Sequence, residues 1–366
     1  MIRQISNNMI NLSNGHTLNS LISNKGELDP VLKSFVPTLI SHEVPKSMLT
    51  MSRGFNDYDY ALVHLFKDNP DYFEFYKESV DMGRMVILDN SLYELGEAFD
   101  MKEYAEWIKK LNPTYYILPD AFWDSGKTIN LAMEWMVNYG KYIDPKIKRI
   151  GVAQGSTYNE IKNSYKFLEQ ICDCIAFTFK FNPTKIRIDQ DINLCEFLEK
   201  FYVRYFENVS TNGMEISGKD LTFEDEQAVY RYLILKQLDE DGVINYNRKH
   251  HLLGLQNTTL LFESCLFPWV TSIDTSNPII CGFKGNAYYF NETIMNGVNN
   301  SFIGNSGHKK PMEQLKDFFY IQPSEPIWSN SIETVMYNIK SFRNIVNPPH
   351  ISAIYYQCLE FSRQIL

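Results

Sequence analysis

The feature that most constrains the fold is a short apolar run that ends abruptly in small or polar residues, and it occurs six times. The first run, 85–88, leads into Asp89-Asn90-Ser91. The other runs lead into Pro119-Asp120, Gln154-Gly155, Thr178, Gly254 and Asp274. A buried strand that delivers a carboxylate or an amide at its carboxyl end is typical of parallel α/β folds. In (β/α)8 barrels above all, the active site is built at that end.

Amphipathic segments separate these runs and predict helices over 100–111, 125–139 and 157–172. Asp100 is a candidate N-cap for the first helix. Thr157, with Glu160 three residues later, has the pattern of a capping box. Because strands that alternate with helices favour a parallel sheet, we predict an α/β fold, specifically a (β/α)8 TIM barrel with an insertion and extra C-terminal helices.

The alternation also predicts three regions. Residues 1–45 are polar and irregular and are interpreted as a lead-in or cap, and 46–310 as the barrel, with strand candidates at 46–51 and 60–66. The segment of about 182–247 is longer than one strand–helix unit and is interpreted as an insertion. Residues 311–366 are predicted to form C-terminal helices packed on the barrel.

Composition excludes several classes of protein. With 366 residues, of which 44% are hydrophobic, the chain can bury a large core and is not of the disordered class. No apolar run approaches the roughly 20 residues that span a bilayer, and the N-terminus lacks the apolar core of a signal peptide. We expect a cytoplasmic protein, in the host cytoplasm if the source is a phage, with no membrane partner.

The six cysteines are scattered, and only Cys172 and Cys174 are close in sequence. No second pair and no nearby histidine complete a tetrahedral zinc site, so buried thiols are the simpler interpretation. We expect no metal and no cofactor.

The net charge of −9 does not by itself indicate a nucleic-acid-binding protein. Local basic clusters could still form a phosphate-binding face, although such clusters are usually solvated surface. The candidate nucleic-acid-binding residues are Lys180, Lys185, Arg187, Arg248, Lys249, Lys309 and Lys310.

The polar residues at the strand ends each have a simpler explanation when taken singly. An aspartate after a strand is often only the N-cap of the next helix, and Gln154-Gly155 could be a turn. For His250 and His251, a structural role at a strand edge is the simpler interpretation than a catalytic one. The joint placement of three acids and an amide at equivalent strand ends, however, predicts one shared pocket.

The same residues carry a resemblance to a known family. In order, the chain has Asp89-Asn90-Ser91-Leu92-Tyr93, then Asp120, then Gln154-Gly155 after a strand, then His250-His251-Leu252-Leu253-Gly254, then Ser272-Ile273-Asp274. This order resembles the tRNA-guanine transglycosylase superfamily, whose members are (β/α)8 barrels that exchange guanine for a 7-deazaguanine. The resemblance extends over residues 46–280, and the serine of the first motif lies one position later than in the family.

Two further departures indicate a branch of that family. A glycine-rich stretch that binds the base in the tRNA enzymes is replaced by Ile175-Ala176-Phe177-Thr178, and the zinc-binding cysteines are absent after Asp274. The first motif, continued to Gly96, is similar to that of the phage and bacterial branch that inserts 7-deazaguanines into DNA. The implied partners are DNA, or alternatively tRNA, and a 7-deazaguanine base such as a preQ0-type derivative.

The resemblance implies a role for each residue. Asp274 becomes the nucleophile and Asp89 the general acid and base, while Asp120 and Gln154 bind the edge of the base. Tyr93 and Leu253 enclose the purine ring. The remaining implied substrate-binding residues are Ser91, Gly155, Phe177 and Gly254. The alternatives are a tRNA-guanine transglycosylase, an inactive nucleobase- or nucleic-acid-binding barrel, and a glycoside hydrolase with paired carboxylates.

Overall fold

Eight parallel strands form a nearly closed barrel in the computed structural model, which describes residues 38–179, 231, 234–255, 267, 269–283 and 325–347. The strands are β1 (Leu39–His42), β2 (Asp59–Leu62), β3 (Val86–Asp89), β4 (Tyr115–Ile117), β5 (Lys148–Ala153), β6 (Cys174–Phe177), β7 (Lys249–Leu252) and β8 (Val270–Thr275). Strands β2 to β8 pair in chain order, and β8 pairs with β1. The protein is therefore a (β/α)8 barrel of the TIM type.

The barrel closes between β1 and β2 through hydrogen bonds from Asn56 and Asp57, which replace part of the backbone ladder. The backbone N–H of Asp57 donates to the Ile40 carbonyl at 2.9 Å, and the Ile40 N–H donates to the Asp57 carboxylate at 2.9 Å. The His42 N–H donates to the Asn56 side-chain oxygen at 2.7 Å. These bonds satisfy backbone groups that an open edge would leave unpaired.

Two apolar cores follow from the alternation of side chains along each strand. One fills the barrel interior and includes Ile87, Ile117, Val152 and Ala176. The other lies between the strands and the surrounding helices and takes the neighbouring positions, such as Leu88 and Phe177. Residues that continue the interior alternation at the carboxyl ends of the strands therefore face the mouth of the barrel.

The surrounding helices begin where the sequence supplies caps. They are α1 (Leu49–Ser52), α2 (Pro70–Asp81), α3 (Leu92–Leu95), α4 (Met101–Leu111), α5 (Ser125–Asn138), α6 (Tyr158–Ile171), α7 (Asn277–Phe283) and α8 (Glu325–Val346), with short 3₁₀ turns at Lys46–Met48, Val63–Leu65 and Gly140–Tyr142; residues 234–240 are also helical. The Asp100 carboxylate accepts from the Glu103 N–H at 2.9 Å, and the Thr157 hydroxyl accepts from the Glu160 N–H at 3.2 Å. Both predicted caps are confirmed.

Helix α8 packs on α7 and ties the end of the described chain to its beginning. A Cβ on Gly282 of α7 would approach the Val335 backbone at 2.6 Å, so the close crossing of the two helices requires glycine there. The Arg343 guanidinium donates to the Phe55 carbonyl and to the Asp57 carboxylate at 2.8 and 2.7 Å. The same helix thus holds the segment that closes the barrel.

Two sequence predictions about the N-terminal part are wrong. The strand predicted at 46–51 is a 3₁₀ turn followed by α1, and the true first strand is β1, which lies inside the segment interpreted as a lead-in. The barrel therefore begins before residue 45. Most of the predicted lead-in, most of the predicted insertion, and residues 311–324 and 348–366 of the predicted C-terminal helices lie outside the described residues. Within the described part of the chain, no helix has both the length and the apolar character required to cross a bilayer.

Candidate active site

A pocket opens at the carboxyl ends of the strands, with an open volume of about 680 Å³. Among its lining residues are seven that the sequence predicted: Asp89, Tyr93, Asp120, Gln154, Leu253, Gly254 and Asp274. Other lining residues, not predicted, include Glu43, Tyr60, Asn90, Glu94, Phe122, Thr178 and Phe179. The polar groups of the pocket are concentrated at a few positions among apolar walls, as in small-molecule sites.

Asp89 ends β3 and is held by two donors. The Tyr60 hydroxyl donates to its Oδ2, and the Ser91 backbone N–H donates to its Oδ1 at 2.6 Å. Burial raises the pKa of Asp89 to about 6, and these hydrogen bonds oppose the rise, while the negative charge of Asp274 adds to it. A carboxyl group with a pKa near neutrality can both give and take a proton at physiological pH.

Asp274 lies near the end of β8 with both carboxylate oxygens oriented. Oδ1 is 2.9 Å from Nε2 of His251, and Oδ2 accepts from the Gly254 N–H at 3.1 Å. The other ring nitrogen of His251 is 2.9 Å from the Ser272 hydroxyl oxygen. With the ring proton on Nε2 and the serine hydroxyl donating to Nδ1, each of the three side chains has a partner, and these hydrogen bonds hold Asp274 in one rotamer with both oxygens as acceptors.

Tyr60 and His251 join the two carboxylates across the barrel interior. Their rings stack with centroids 6.1 Å apart and an interplanar angle of 16°. The tyrosine hydroxyl bonds Asp89, whereas the imidazole bonds Asp274. Asp89 and Asp274 therefore face the same pocket from β3 and β8, which lie three positions apart around the barrel when the β1–β2 closure is counted.

Asp120 and Gln154 form a rigid polar edge on the other side of the pocket. The Asn90 amide donates to Oδ1 of Asp120 at 2.8 Å, and the Gln154 amide donates to Oδ2 at 2.8 Å. Burial raises the pKa of Asp120 to about 7, against the effect of these two hydrogen bonds. Both aspartate oxygens retain a lone pair for a ligand.

The backbone determines the direction of the Gln154 amide. Its Oε1 accepts from the Trp123 N–H at 3.2 Å, which leaves Nε2 to face Asp120 and the pocket. One Nε2 hydrogen is used by Asp120, and the second is available to a ligand. The pocket thus presents a donor beside an acceptor, which is the pattern complementary to the O6 and N1–H edge of guanine and opposite to that of adenine.

Aromatic and aliphatic side chains form the walls. The rings of Tyr93 and Phe179 are 5.5 Å apart, and Leu253 lies beside the apolar interior of the barrel. Gly254 has φ +61°, and a Cβ there would meet the Phe179 ring at 2.6 Å. Glycine is therefore favoured by the left-handed backbone conformation and by the close approach of the Phe179 ring.

Two glutamates in the pocket were not predicted from the sequence. Glu43 directly follows β1 and is half-buried, and Glu94 lies in α3 and is 8% exposed. Burial raises the pKa of Glu94 to about 8, with a further contribution from Asp89. Burial also raises the pKa of Glu43 well above its usual range, and Asp274, Glu94 and Asp89 add to the rise. Five carboxyl groups, those of Glu43, Asp89, Glu94, Asp120 and Asp274, are therefore among the described groups that line the pocket.

Replacing Glu94 with glutamine is expected to stabilise the protein at alkaline but not at acidic pH. Because the pKa of Glu94 is raised on folding, the folded state retains a proton that the unfolded state has lost, so wild-type stability falls as pH rises from about 4.5 to about 8. The gain from Glu94→Gln at pH 8.5 is expected to be roughly 2–4 kcal/mol, and close to zero at pH 4.5. Thermal unfolding at both pH values checks this, with the exposed Glu97→Gln as a control; an equal gain at both would contradict it.

Three predicted substrate-binding residues are not among those that line the pocket. Phe177 stacks on Tyr165 and His250 in the outer core, because its position alternates with the interior-facing Ala176. Ser91 has φ 59°, and its hydroxyl is 2.9 Å from Nδ1 of His64. Gly155 packs against α6, where a Cβ would meet the Ile161 nitrogen at 2.7 Å. Their contribution is to hold the strand-end loops rather than to contact a ligand.

The predicted basic clusters are only partly described. Arg248 donates to the Cys172 carbonyl and Lys249 to the Tyr115 hydroxyl, both at the amino-terminal ends of the strands, opposite the pocket. They are therefore poorly placed to contact a nucleic acid whose base enters the pocket, and we do not propose them as nucleic-acid-binding residues. Lys180, Lys185, Arg187, Lys309 and Lys310 lie outside the described residues.

His251 is a residue of the site that the sequence predicts only as structural. Its Nε2 lies 2.9 Å from Oδ1 of Asp274, so it positions that carboxylate. The two-residue alternation could have indicated this, since His251 shares the interior face with the strand-end polar residues, whereas His250 faces the outer core.

The described residues contain no group of three or more His, Cys, Asp or Glu side chains placed to hold a metal ion. Cys172 and Cys174 are free, buried thiols. No family model matches the chain, and no curated protein matches it.

Proposed function

We propose that the protein exchanges guanine in DNA for a 7-deazaguanine base, in two displacements at C1′ through a covalent enzyme–DNA intermediate. The observation that carries the proposal is the combination of a donor–acceptor edge, Gln154 and Asp120, which is complementary to O6 and N1–H of guanine, with two separately oriented carboxylates, Asp89 and Asp274, in one pocket. A protein that only binds a base requires the edge but not the pair of carboxylates.

The proposed reaction has two displacement steps, and Asp89 gives a proton in the first and takes one up in the second. Asp274 attacks C1′ as the bond from C1′ to N9 of guanine breaks, and Asp89 gives its proton to the departing base. The incoming base then loses its N9 proton to Asp89, attacks C1′ and releases the Asp274 carboxylate. Two inversions give net retention, as in retaining glycosidases. A base in a duplex is unreachable, so the nucleotide must be flipped or the duplex opened.

Selectivity for guanine-type bases is expected to depend on the direction of the Gln154 amide. Free guanine or 7-deazaguanine should bind, and adenine should not, because adenine presents a donor to Gln154 and an acceptor to Asp120. Gln154→Glu replaces the donor with an acceptor and is expected to weaken 7-deazaguanine binding by roughly 10²-fold or more. Calorimetric titration checks this, with the exposed Gln170→Glu as control. Equal binding of adenine and guanine would contradict the proposed edge.

The proposed function is tested by incubating the protein with a 7-deazaguanine and with labelled nucleic acid that contains radioactive guanine. The proposal expects guanine release from DNA that requires the incoming base for multiple turnovers. Parallel reactions with tRNA separate the two substrates, since release from tRNA alone would favour the tRNA enzyme. Release from neither would contradict the exchange reaction.

A further inference from the structure

The proposed reaction leaves two carboxyl groups of the pocket without a role. Glu43 follows β1 and Glu94 lies in α3, and both line the pocket with Asp89 and Asp274. The Glu94 side chain is 8% exposed, and its Oε2 has no hydrogen-bond partner among the residues that the structure describes. A buried polar atom that faces a cavity without a partner is costly unless a ligand or water satisfies it.

The surroundings of these two glutamates favour the neutral, protonated form of their carboxyl groups. The charged groups that face Glu94 are Asp89 from β3, Asp274 from β8 and Glu43 from the end of β1. No lysine or arginine is among the described residues that line the pocket. Carboxyl groups that share a poorly solvated space without a cation cannot all ionise. For Glu43 and Glu94, burial and then the neighbouring carboxylates favour the neutral form, and a neutral carboxyl group is a hydrogen-bond donor.

The position of Glu43 corresponds to the sugar side of a bound nucleotide. The base edge lies at Asp120 and Gln154, on the β4–β5 side, and C1′ must lie at Asp274 on β8. The strand next to β8 is β1, where Ser41 is the register partner of Asp274, and the Glu43 N–H donates to the Thr275 carbonyl at 3.1 Å. Glu43 thus lies beside the reacting carbon, away from the base edge.

We infer that Glu43 and Glu94 form a subsite for the sugar–phosphate backbone of the nucleotide whose base occupies the pocket, with neutral carboxyl groups donating hydrogen bonds to its oxygen atoms. This inference rests on the proposed function. Within a DNA strand, the deoxyribose ring and the phosphodiester present only hydrogen-bond acceptors. They are matched by neutral acids and repelled by carboxylates. Binding of the DNA strand therefore weakens as the two glutamates lose their protons.

The test uses a fluorescent single-stranded oligodeoxynucleotide with a stable abasic analogue at one position, so that no base contributes to binding. Anisotropy titrations at constant ionic strength are made at pH 7 and pH 9.5. Wild-type affinity is expected to fall at least about tenfold over this range, because a new carboxylate close to a phosphate is strongly repulsive. Glu94→Gln retains an uncharged donor and is expected to lose most of this pH dependence. The double variant Glu43→Gln/Glu94→Gln should lose nearly all of it, and Glu97→Gln should behave as the wild type.

An unchanged pH dependence in the double variant would overturn the inference, as would full affinity of Glu94→Ala for the abasic strand at pH 7. Binding of free 7-deazaguanine by the wild type is measured in parallel. If the base binds while the strand shows no dependence on the glutamates, the inference alone fails. If neither the base nor the strand binds, the proposed function fails with it.

Discussion

Replacing Asp274 with alanine is expected to abolish base exchange, with a loss on the order of 10⁴-fold or more. The physical reason is that substitution at C1′ with retention needs a covalent partner on the face opposite the departing base. No thiol or lysine is among the described residues that line the pocket, and burial raises the pKa of each other carboxyl group there, which favours its neutral, non-nucleophilic form. Wild-type protein mixed with guanine-containing DNA and an incoming-base analogue should give an adduct that survives denaturation, whereas Asp274→Ala should give none.

Asp274→Asn is the sharper variant because it preserves the packing. The asparagine oxygen can accept from the Gly254 N–H, and its amide can donate to His251 if the imidazole proton moves to Nδ1, on the Ser272 side. The fold should therefore remain intact while the nucleophile is lost. Asp81→Ala, which removes an exposed carboxylate in α2, controls for charge. An adduct that forms with Asp274→Asn but not with Asp89→Asn would mean that the two roles are reversed.

Replacing Asp89 with asparagine is expected to slow both half-reactions by about 10²–10⁴-fold, the usual contribution of a proton-transfer group. The amide still fits between the Tyr60 hydroxyl and the Ser91 N–H, but it cannot give a proton to guanine or take one from the incoming base. Single-turnover guanine release and base incorporation are measured separately, so that each step is assessed.

The two half-reactions of the wild type should depend on pH in opposite directions. With the pKa of Asp89 at about 6, guanine release requires the protonated acid and slows as pH rises above that value. Incorporation requires the carboxylate and slows as pH falls below it. Asp89→Asn should show neither dependence, and a variant that keeps both would exclude Asp89 as the proton-transfer group.

The sequence predicted seven of the residues that line the pocket, because the position of a strand-end side chain is set by the local alternation along its strand. A polar residue that continues the interior alternation of a buried strand must face the barrel mouth, which is why Asp89, Gln154 and Asp274 lie where they were expected. The same alternation explains the failure at Phe177, which the family resemblance suggested but which lies one position out of phase with the interior.

The remaining features depend on tertiary context. Glu43 could not be predicted because the first strand was placed at 46–51, which left this residue in an apparent lead-in. Glu94 lies in a four-residue helix that is too short to show which side chains face the core, and its burial depends on the surrounding fold. The direction of the Gln154 amide likewise depends on a backbone N–H 31 residues away, at Trp123.

The most direct test of base exchange in DNA is nucleoside analysis of DNA from cells that express the protein and are supplied with a 7-deazaguanine. We expect a 7-deazaguanine deoxynucleoside that replaces deoxyguanosine in cells with the wild-type protein and is absent when Asp274→Asn is expressed at the same level. Unmodified DNA in the wild-type cells, with the modified base found in tRNA or in neither nucleic acid, would contradict it.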